Sequence, residues 1–222
     1  MKILAINGSP RTVHSNTRRL TSFVLEGAAE AGAETEIIDL CDFRITPCTA
    51  CEACSINGVC VNEDDVPGIL ARMREADGIV FASPVYIDNI TGQMKVFFDR
   101  LADAIHYQVL TGKYGCAVVT TYDSGAEEVV AYLSHVLNYL GVIAVGSIGI
   151  ATQGEAGTID AKEPEARVLG KKLAGAIRDG FSDPVQEKIL AENRGYFRTI
   201  VEENKEMRPA GYEEWVRKGW MD

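Results

Sequence analysis

The chain has 222 residues, of which 46% are apolar and 24% charged, with a formal net charge of −10. That is enough for one substantial core with an extension, and the composition is that of an ordinary globular protein. No apolar run reaches the ~20 residues of a membrane-spanning helix, and the acidic balance excludes electrostatic attraction to nucleic acid or an anionic membrane.

Lys2 to Asn7 is apolar and β-rich and runs straight into Gly8-Ser9-Pro10. It reads as a first strand, not a secretory signal, so a cytoplasmic location is the expectation. A helix follows over about 16–31, with Leu20, Phe23, Val24, Ala28 and Ala31 spaced by three and four, and Gly32 as its C-cap. Glu34 to Leu40 is a second strand. After a cysteine-rich loop, Asp64 or Asp65 caps a helix carrying Val66, Ile69, Leu70 and Met73. Gly78 to Ala82 is a buried strand ending in Ser83-Pro84-Val85-Tyr86. A helix over about 92–104 presents Met94, Phe97, Phe98 and Leu101. Tyr114 to Thr120 and Val142 to Ile150 are further strands, separated by a helix over 127–140. From about Glu163 a polar helix with Val168, Leu169, Leu173 and Ile177 as its apolar stripe closes the core. Gly180 to Pro184 breaks the pattern, leaving 1–182 as the main domain and 183–222 as a helical tail that carries Tyr212, Trp215 and Trp220.

Five apolar strands alternating with amphipathic helices predict an α/β fold, a doubly wound five-stranded parallel sheet covered on both faces. Such sheets bind ligands beyond the carboxyl ends of their strands, at the switch point. The loops leaving the first, third and fourth strands lie there, and each is rich in Ser, Thr, Gly or Asn. Gly8-Ser9-Pro10-Arg11 with Ser15-Asn16-Thr17 joins a strand to a helix N-terminus, which favours a phosphate. It is neither a dinucleotide fingerprint nor a Walker loop. An ordinary polar loop with Asn16 or Thr17 as N-cap accounts for it equally well, and His14 within it reads as exposed.

Cys48, Cys51, Cys54 and Cys60 are spaced C-x2-C-x2-C-x5-C. Tight C-x2-C steps supply four thiolates to one centre, as a four-iron cluster needs. Structural zinc more often uses two separated knuckles. The spacing favours a 4Fe-4S cluster and leaves zinc or a disulfide pair open. Cys116, inside a strand, reads as a small buried apolar residue, and Cys41 as structural.

The chain resembles the flavodoxin-like NADPH-dependent FMN reductases, and more narrowly the iron–sulfur flavoproteins. The carrying residues are Asn7 to Arg11 with Ser15-Asn16-Thr17, the cysteine motif, Ala76 to Val80 with Ser83-Pro84-Val85-Tyr86, and Lys95 with Asp99-Arg100. The resemblance spans about residues 1–150. It implies that Ser9, Arg11, Ser15, Asn16 and Thr17 hold the FMN phosphate. Pro84, Val85, Tyr86 and Asn89 then line the flavin ring, and Thr121, Tyr122, Ser124 and Gly125 complete its pocket. Lys95 and Asp99-Arg100 are expected to serve packing and a subunit interface.

FMN with a four-iron cluster makes a converter between two-electron and one-electron partners. The expected donor is NAD(P)H or reduced ferredoxin, and the acceptor a small molecule or a protein. A non-enzymatic electron carrier and a zinc- or disulfide-based redox sensor are the competing readings. The chemistry demands no side-chain base; Tyr86 and Asp88 beside the ring are candidates for proton transfer, and a ring-packing Tyr and a solvated Asp are the favoured reading. The family also implies a homodimer or homotetramer in which one chain's cysteine loop approaches another's flavin. The apolar helix over 92–104 and the aromatic tail fit that expectation. Alternatively, the tail folds back on its own subunit or lids the flavin.

Overall fold

The computed structural model describes residues 1–221. Strands β1 (Lys2–Asn7), β2 (Glu34–Asp39), β3 (Gly78–Pro84), β4 (Tyr114–Thr121) and β5 (Ile143–Ala151) pair in parallel in the order β2-β1-β3-β4-β5. The chain leaves β1 toward β2 and returns on the other side of β1 as β3. The crevice at that reversal, beyond the carboxyl ends of β1 and β3, is where such sheets hold ligands.

The helices are α1 (Asn16–Glu30), α2 (Ala53–Asn57), α3 (Val66–Glu75), α4 (Gly92–Asp99), α5 (Ala102–His106), α6 (Ala126–Tyr139), α7 (Thr158–Ala161), α8 (Glu163–Asp179), α9 (Pro184–Glu203) and α10 (Pro209–Arg217). Alternate strand residues face opposite layers. Leu4, Ile6, Ile79, Phe81, Ala117 and Val119 pack under α3, α4 and α6. Ile3, Ala5, Val80, Ala82, Cys116 and Val118 pack under α1 and α8. Both faces are dry, which is why the strands read as continuous apolar runs.

The two helices of the second layer meet through glycine. A Cβ at Gly170 would overlap the Val24 carbonyl, and one at Gly27 would overlap the backbone of Arg167. Arg167 then bridges the helices to Glu26, Glu30 and Glu163. This close seating turns α8 on Ala166, Leu169, Gly170 and Leu173. Val168 is left 65% exposed, against the expectation that it belongs to the buried stripe. It precedes Leu169 around the helix by about 100° and so leaves the contact face.

One further expectation changes, and one of the alternatives open for the tail is the one found. The single helix over 92–104 is divided into α4 and α5. The Arg100 and Leu101 N–H groups bond three residues back, to Phe97 and Phe98, which tightens and ends α4. Met94, Phe97, Phe98 and Leu101 are all buried in their own chain, so they present no apolar face to a partner. The tail also folds back on its own subunit. Trp215 is fully buried with Phe197, Val201 and Met221, and Ile105, Tyr139 and Trp220 pack around them. No helix among the described residues is long and apolar enough to cross a membrane.

Candidate functional site

A cleft of about 300 Å³ opens at the carboxyl ends of β1, β3, β4 and β5. From the β1–α1 loop it is lined by Ser9, Arg11, Ser15, Asn16 and Thr17. From the end of β3 come Pro84, Val85 and Tyr86, and from β4 come Thr121 and Tyr122. The sequence-predicted residues are thus largely brought together.

The β1–α1 loop is built as a cradle. The Asn7 amide donates to Asp39 Oδ1 at 2.6 Å, and the Arg18 guanidinium donates to Asp39 Oδ2 at 2.7 Å. That buried network fixes the loop from below. Ser15 caps α1, its hydroxyl accepting from the Arg18 N–H at 3.0 Å. Asn16 and Thr17, on the first turn, have backbone N–H groups with no intrahelical partner. The buried Thr17 hydroxyl lies 2.6 Å from that of Thr120. Gly8 lets α4 approach, because a Cβ there would sit 2.8 Å from Met94 Cβ. Thr91 donates its hydroxyl to the Gly8 carbonyl at 2.7 Å, joining α4 to the cradle.

The lining contains no carboxylate, although the chain carries 32 acidic residues against 22 Lys and Arg. Arg11 is exposed, and among the described residues its guanidinium makes no hydrogen bond or ion pair. An acid-free cleft with buried hydroxyls, a helix N-terminus and a spare cation is suited to an anion.

Asn89, Ser124 and Gly125 do not line the cleft; they shape it. Asn89 exchanges backbone bonds with Tyr86, at 2.8 and 3.2 Å. The Ser124 carbonyl accepts from Thr121 Oγ1 at 2.6 Å. Gly125, at φ 81°, brings the β4–α6 turn against Val85, where a Cβ would meet Val85 Cγ1 at 3.0 Å. Between Tyr86 and Asn89, Ile87 and Asp88 take φ of 50° and 55°. A left-handed isoleucine that is 96% exposed is strained and finds no compensating burial.

Thr120, Thr152 and Gly154 also line the cleft and were missed. The signal for Thr152 and Gly154 was present: Thr-Gln-Gly after β5 is another polar turn at a strand's carboxyl end.

The cysteines are all free thiols, with Cys48 and Cys51 exposed and Cys54 and Cys60 half-buried. Ala50 and Glu52 adopt φ of 54° and 60°, bending the backbone between the sulfurs. The Ala50 N–H approaches Cys48 Sγ at 3.4 Å. The Ala53 N–H and the Thr49 side chain hold the Cys51 thiol below its usual range. Burial pushes the Cys54 thiol up to about 12, with Asp103 adding to the shift. Burial opposes ionisation of Asp103, but His106, Cys54 and Ser55 outweigh it and keep that carboxyl low. As a donor set, four thiols in one short loop with amides turned toward sulfur fit a metal cluster. Among the described residues, however, no three His, Cys, Asp or Glu side chains converge on a metal position. Cys116 is buried in β4, as expected, and burial pushes its thiol up to about 12. Cys41 is exposed.

Lys95 and Asp99 form an exposed ion pair on α4. Arg100, expected with them to serve packing and a subunit interface, is packed against the cysteine loop within its own chain.

The family model for NADPH-dependent FMN reductases matches residues 1–156. An iron–sulfur flavoprotein of Archaeoglobus fulgidus is 34% identical over 225 residues, covering all of both chains. Another from Methanocaldococcus jannaschii is 34% identical over 190 residues, covering 80% of this chain and 98% of that one. An NAD(P)H:quinone oxidoreductase from Methanothermobacter marburgensis superposes with a TM-score of 0.62 at 22% identity, covering 78% of this chain and 96% of that one. A flavodoxin from the domain Archaea superposes with a TM-score of 0.54 at 17% identity, covering 80% and 99%. These likenesses to solved structures are of fold. By the family match and its full-length relatives, the chain belongs to the NADPH-dependent FMN reductase family, in its iron–sulfur flavoprotein branch, and is an FMN-dependent NAD(P)H oxidoreductase.

Proposed function

We propose that this oxidoreductase couples two-electron to one-electron transfer, holding FMN in the cleft and a 4Fe-4S cluster on the cysteine loop. The observation that carries the flavin half is the acid-free cleft with its unpaired Arg11 in a strongly acidic chain. In this reading Ser9, Ser15, Asn16 and Thr17 offer hydroxyls and backbone N–H groups to the phosphate, and Arg11 adds a charge-assisted bond. Pro84, Val85, Tyr86 and Tyr122 present flat or apolar surface to the ring. Thr120, Thr121, Thr152 and Gly154 close the polar side. Asn89, Ser124 and Gly125 hold the loops that carry these groups.

Cys48, Cys51, Cys54 and Cys60 would ligate the cluster. To ligate, the Cys54 thiol must lose the proton that burial and Asp103 now favour. When bound, the flavin exchanges hydride or single electrons and the cluster passes one electron at a time. NAD(P)H is the donor that the family favours, with reduced ferredoxin as the alternative; the acceptor is a small molecule or a redox protein. We also propose a cytoplasmic setting, residues 1–182 and 183–222 as the two parts of the chain, and a homodimer or homotetramer.

A visible spectrum of anaerobically purified protein, with flavin and metals quantified, tests both cofactors. About one FMN and about four irons per chain are expected. Zinc without iron refutes the cluster, and absence of flavin refutes the cleft assignment. Steady-state oxidation of NAD(P)H, set beside oxidation of reduced ferredoxin, identifies the donor.

A further inference from the structure

Arg100 has almost no access to water, and its side chain is spent on the cysteine loop. The Arg100 and Asp64 side chains are 1% and 0% exposed. Arg100 Nη1 donates to the Thr46 carbonyl at 2.7 Å and to Asp64. Arg100 Nη2 reaches Asp64 Oδ1 at 3.2 Å and Cys60 Sγ at 3.2 Å. Asp64 in turn accepts the N–H groups of Thr46, at 2.8 Å, and Val66, at 3.2 Å. One buried pair therefore grips the residue where the loop begins, the cysteine where it ends and the first turn of α3.

Stability alone is a poor reason for this pair. Two buried charges are costly to desolvate, and apolar residues of similar volume are often as good. What the pair supplies is a fixed geometry. A guanidinium reaches several acceptors in one plane and stays charged. Lysine offers neither the fork nor the span.

We propose that Arg100 is a positioning residue for the cysteine loop, fastening both of its ends to the α4–α5 junction and turning the positive end of the Arg100–Asp64 pair toward Cys60 sulfur. The fastening stands on the geometry alone. The electronic part rests on the cluster reading above. A fixed cation beside a ligand sulfur favours the more negative, reduced form of a cluster, as hydrogen bonds to sulfur do.

Two full-length variants test this. Arg100→Gln alone leaves Asp64 charged and buried and risks misfolding, so the neutral pair D64N/R100Q is used, with R100K beside it. Thermal melts first establish that both fold. Amide exchange over residues 46–64 of the metal-free, reduced chain reads the fastening. Exchange several-fold faster than in the parent is expected in both variants, without change in β1, β3 or β4. The midpoint potential of the iron-loaded protein reads the charge. In D64N/R100Q, which leaves the net charge unchanged but takes the cation off Cys60 sulfur, the oxidised-to-reduced ratio at fixed ambient potential should rise several-fold. R100K should stay near the parent.

Parental exchange over 46–64 in a folded D64N/R100Q overturns the fastening. A parental potential in that variant, with loop protection lost, overturns the electronic part. If the parent itself carries zinc and no iron, the cluster reading fails and the electronic part fails with it. Amide exchange then still decides the fastening.

Discussion

Replacing Trp215 by Ala tests whether the tail belongs to the core of its own subunit. The side chain is fully buried among Phe197, Val201 and Met221. Trp220 lies edge-on to it, with centroids 5.0 Å apart and planes at 73°. The indole N–H donates to the His106 carbonyl at 3.0 Å. Large aromatic-to-alanine changes in such sites cost about 3–5 kcal/mol. The lost indole bond is about 0.5–1.5 kcal/mol of that. For a chain of this length, 3–5 kcal/mol corresponds to a fall in Tm of about 6–20 °C. Trp215→Phe keeps the ring contact and loses the donor, so its fall should be less than half as large. The assay is a thermal melt followed by far-UV circular dichroism, with amide exchange to localise the loss. The tail reaches the cysteine loop through Arg208, 2.9 Å from Glu52, and through Ala210 beside Gly58. Exchange should therefore quicken at residues 52–58 as well as in α9 and α10. A Trp215→Ala protein that melts within about 2 °C of the parent would refute the packing argument, because a fully buried indole cannot be deleted at so small a cost.

Arg11→Ala should weaken FMN binding by about 1.5–3 kcal/mol, the worth of a hydrogen bond to a charged group; titration of apoprotein with FMN reads it, and an unchanged Kd removes Arg11 from the site. Gly170→Ala should destabilise by about 1–3 kcal/mol or more, since the added methyl overlaps the Val24 carbonyl; a denaturant midpoint equal to the parent's would show that α1 and α8 part easily. Lys218 supplies a pH test. Burial, with Arg74, Arg217 and Arg194 adding repulsion, lowers its ammonium to about 8 from an ordinary 10.5. Between those values the unfolded chain holds a proton that the folded chain has released, so this group makes stability rise with pH across that window, while its full penalty is present below it. Lys218→Met should flatten that segment of the stability profile relative to the parent, and two parallel profiles would mean that the amine is hydrated.

The sheet was legible because each strand is buried on both faces and therefore reads as an unbroken apolar run. Much of the cleft was legible because loops at carboxyl ends betray themselves by small polar residues. Thr152 and Gly154 were overlooked because β5 is an edge strand with an alternating pattern, and its loop was not counted among those reaching the crevice. The end of α4 was illegible for another reason. Its apolar spacing continues into α5, and the break coincides with a side chain that reaches Asp64, 36 residues away, which periodicity does not encode. The tail aromatics announced burial but not against which surface, since Trp215 has the same composition signal whether its partner is α9 or a second chain.

Helix α4 joins the two candidate sites mechanically. Thr91, at its start, is bonded to Gly8 in the phosphate cradle, and Met94 on its first turn fills the space that Gly8 leaves open. Arg100, at its end, grips the cysteine loop. Nine residues separate these anchors, about 14 Å along a helix axis. Between them Phe97 and Phe98 are buried, with Phe98 5.0 Å from Phe81 of β3, so the helix is held along its length by the sheet and is no free lever. Displacement of the cysteine loop therefore works against the core before it reaches the cradle. The arrangement keeps the two sites at a set separation within one chain while each retains its own solvent-facing side, with Tyr86, Ile87 and Tyr122 exposed at one and Ile56, Val59 and Val61 at the other.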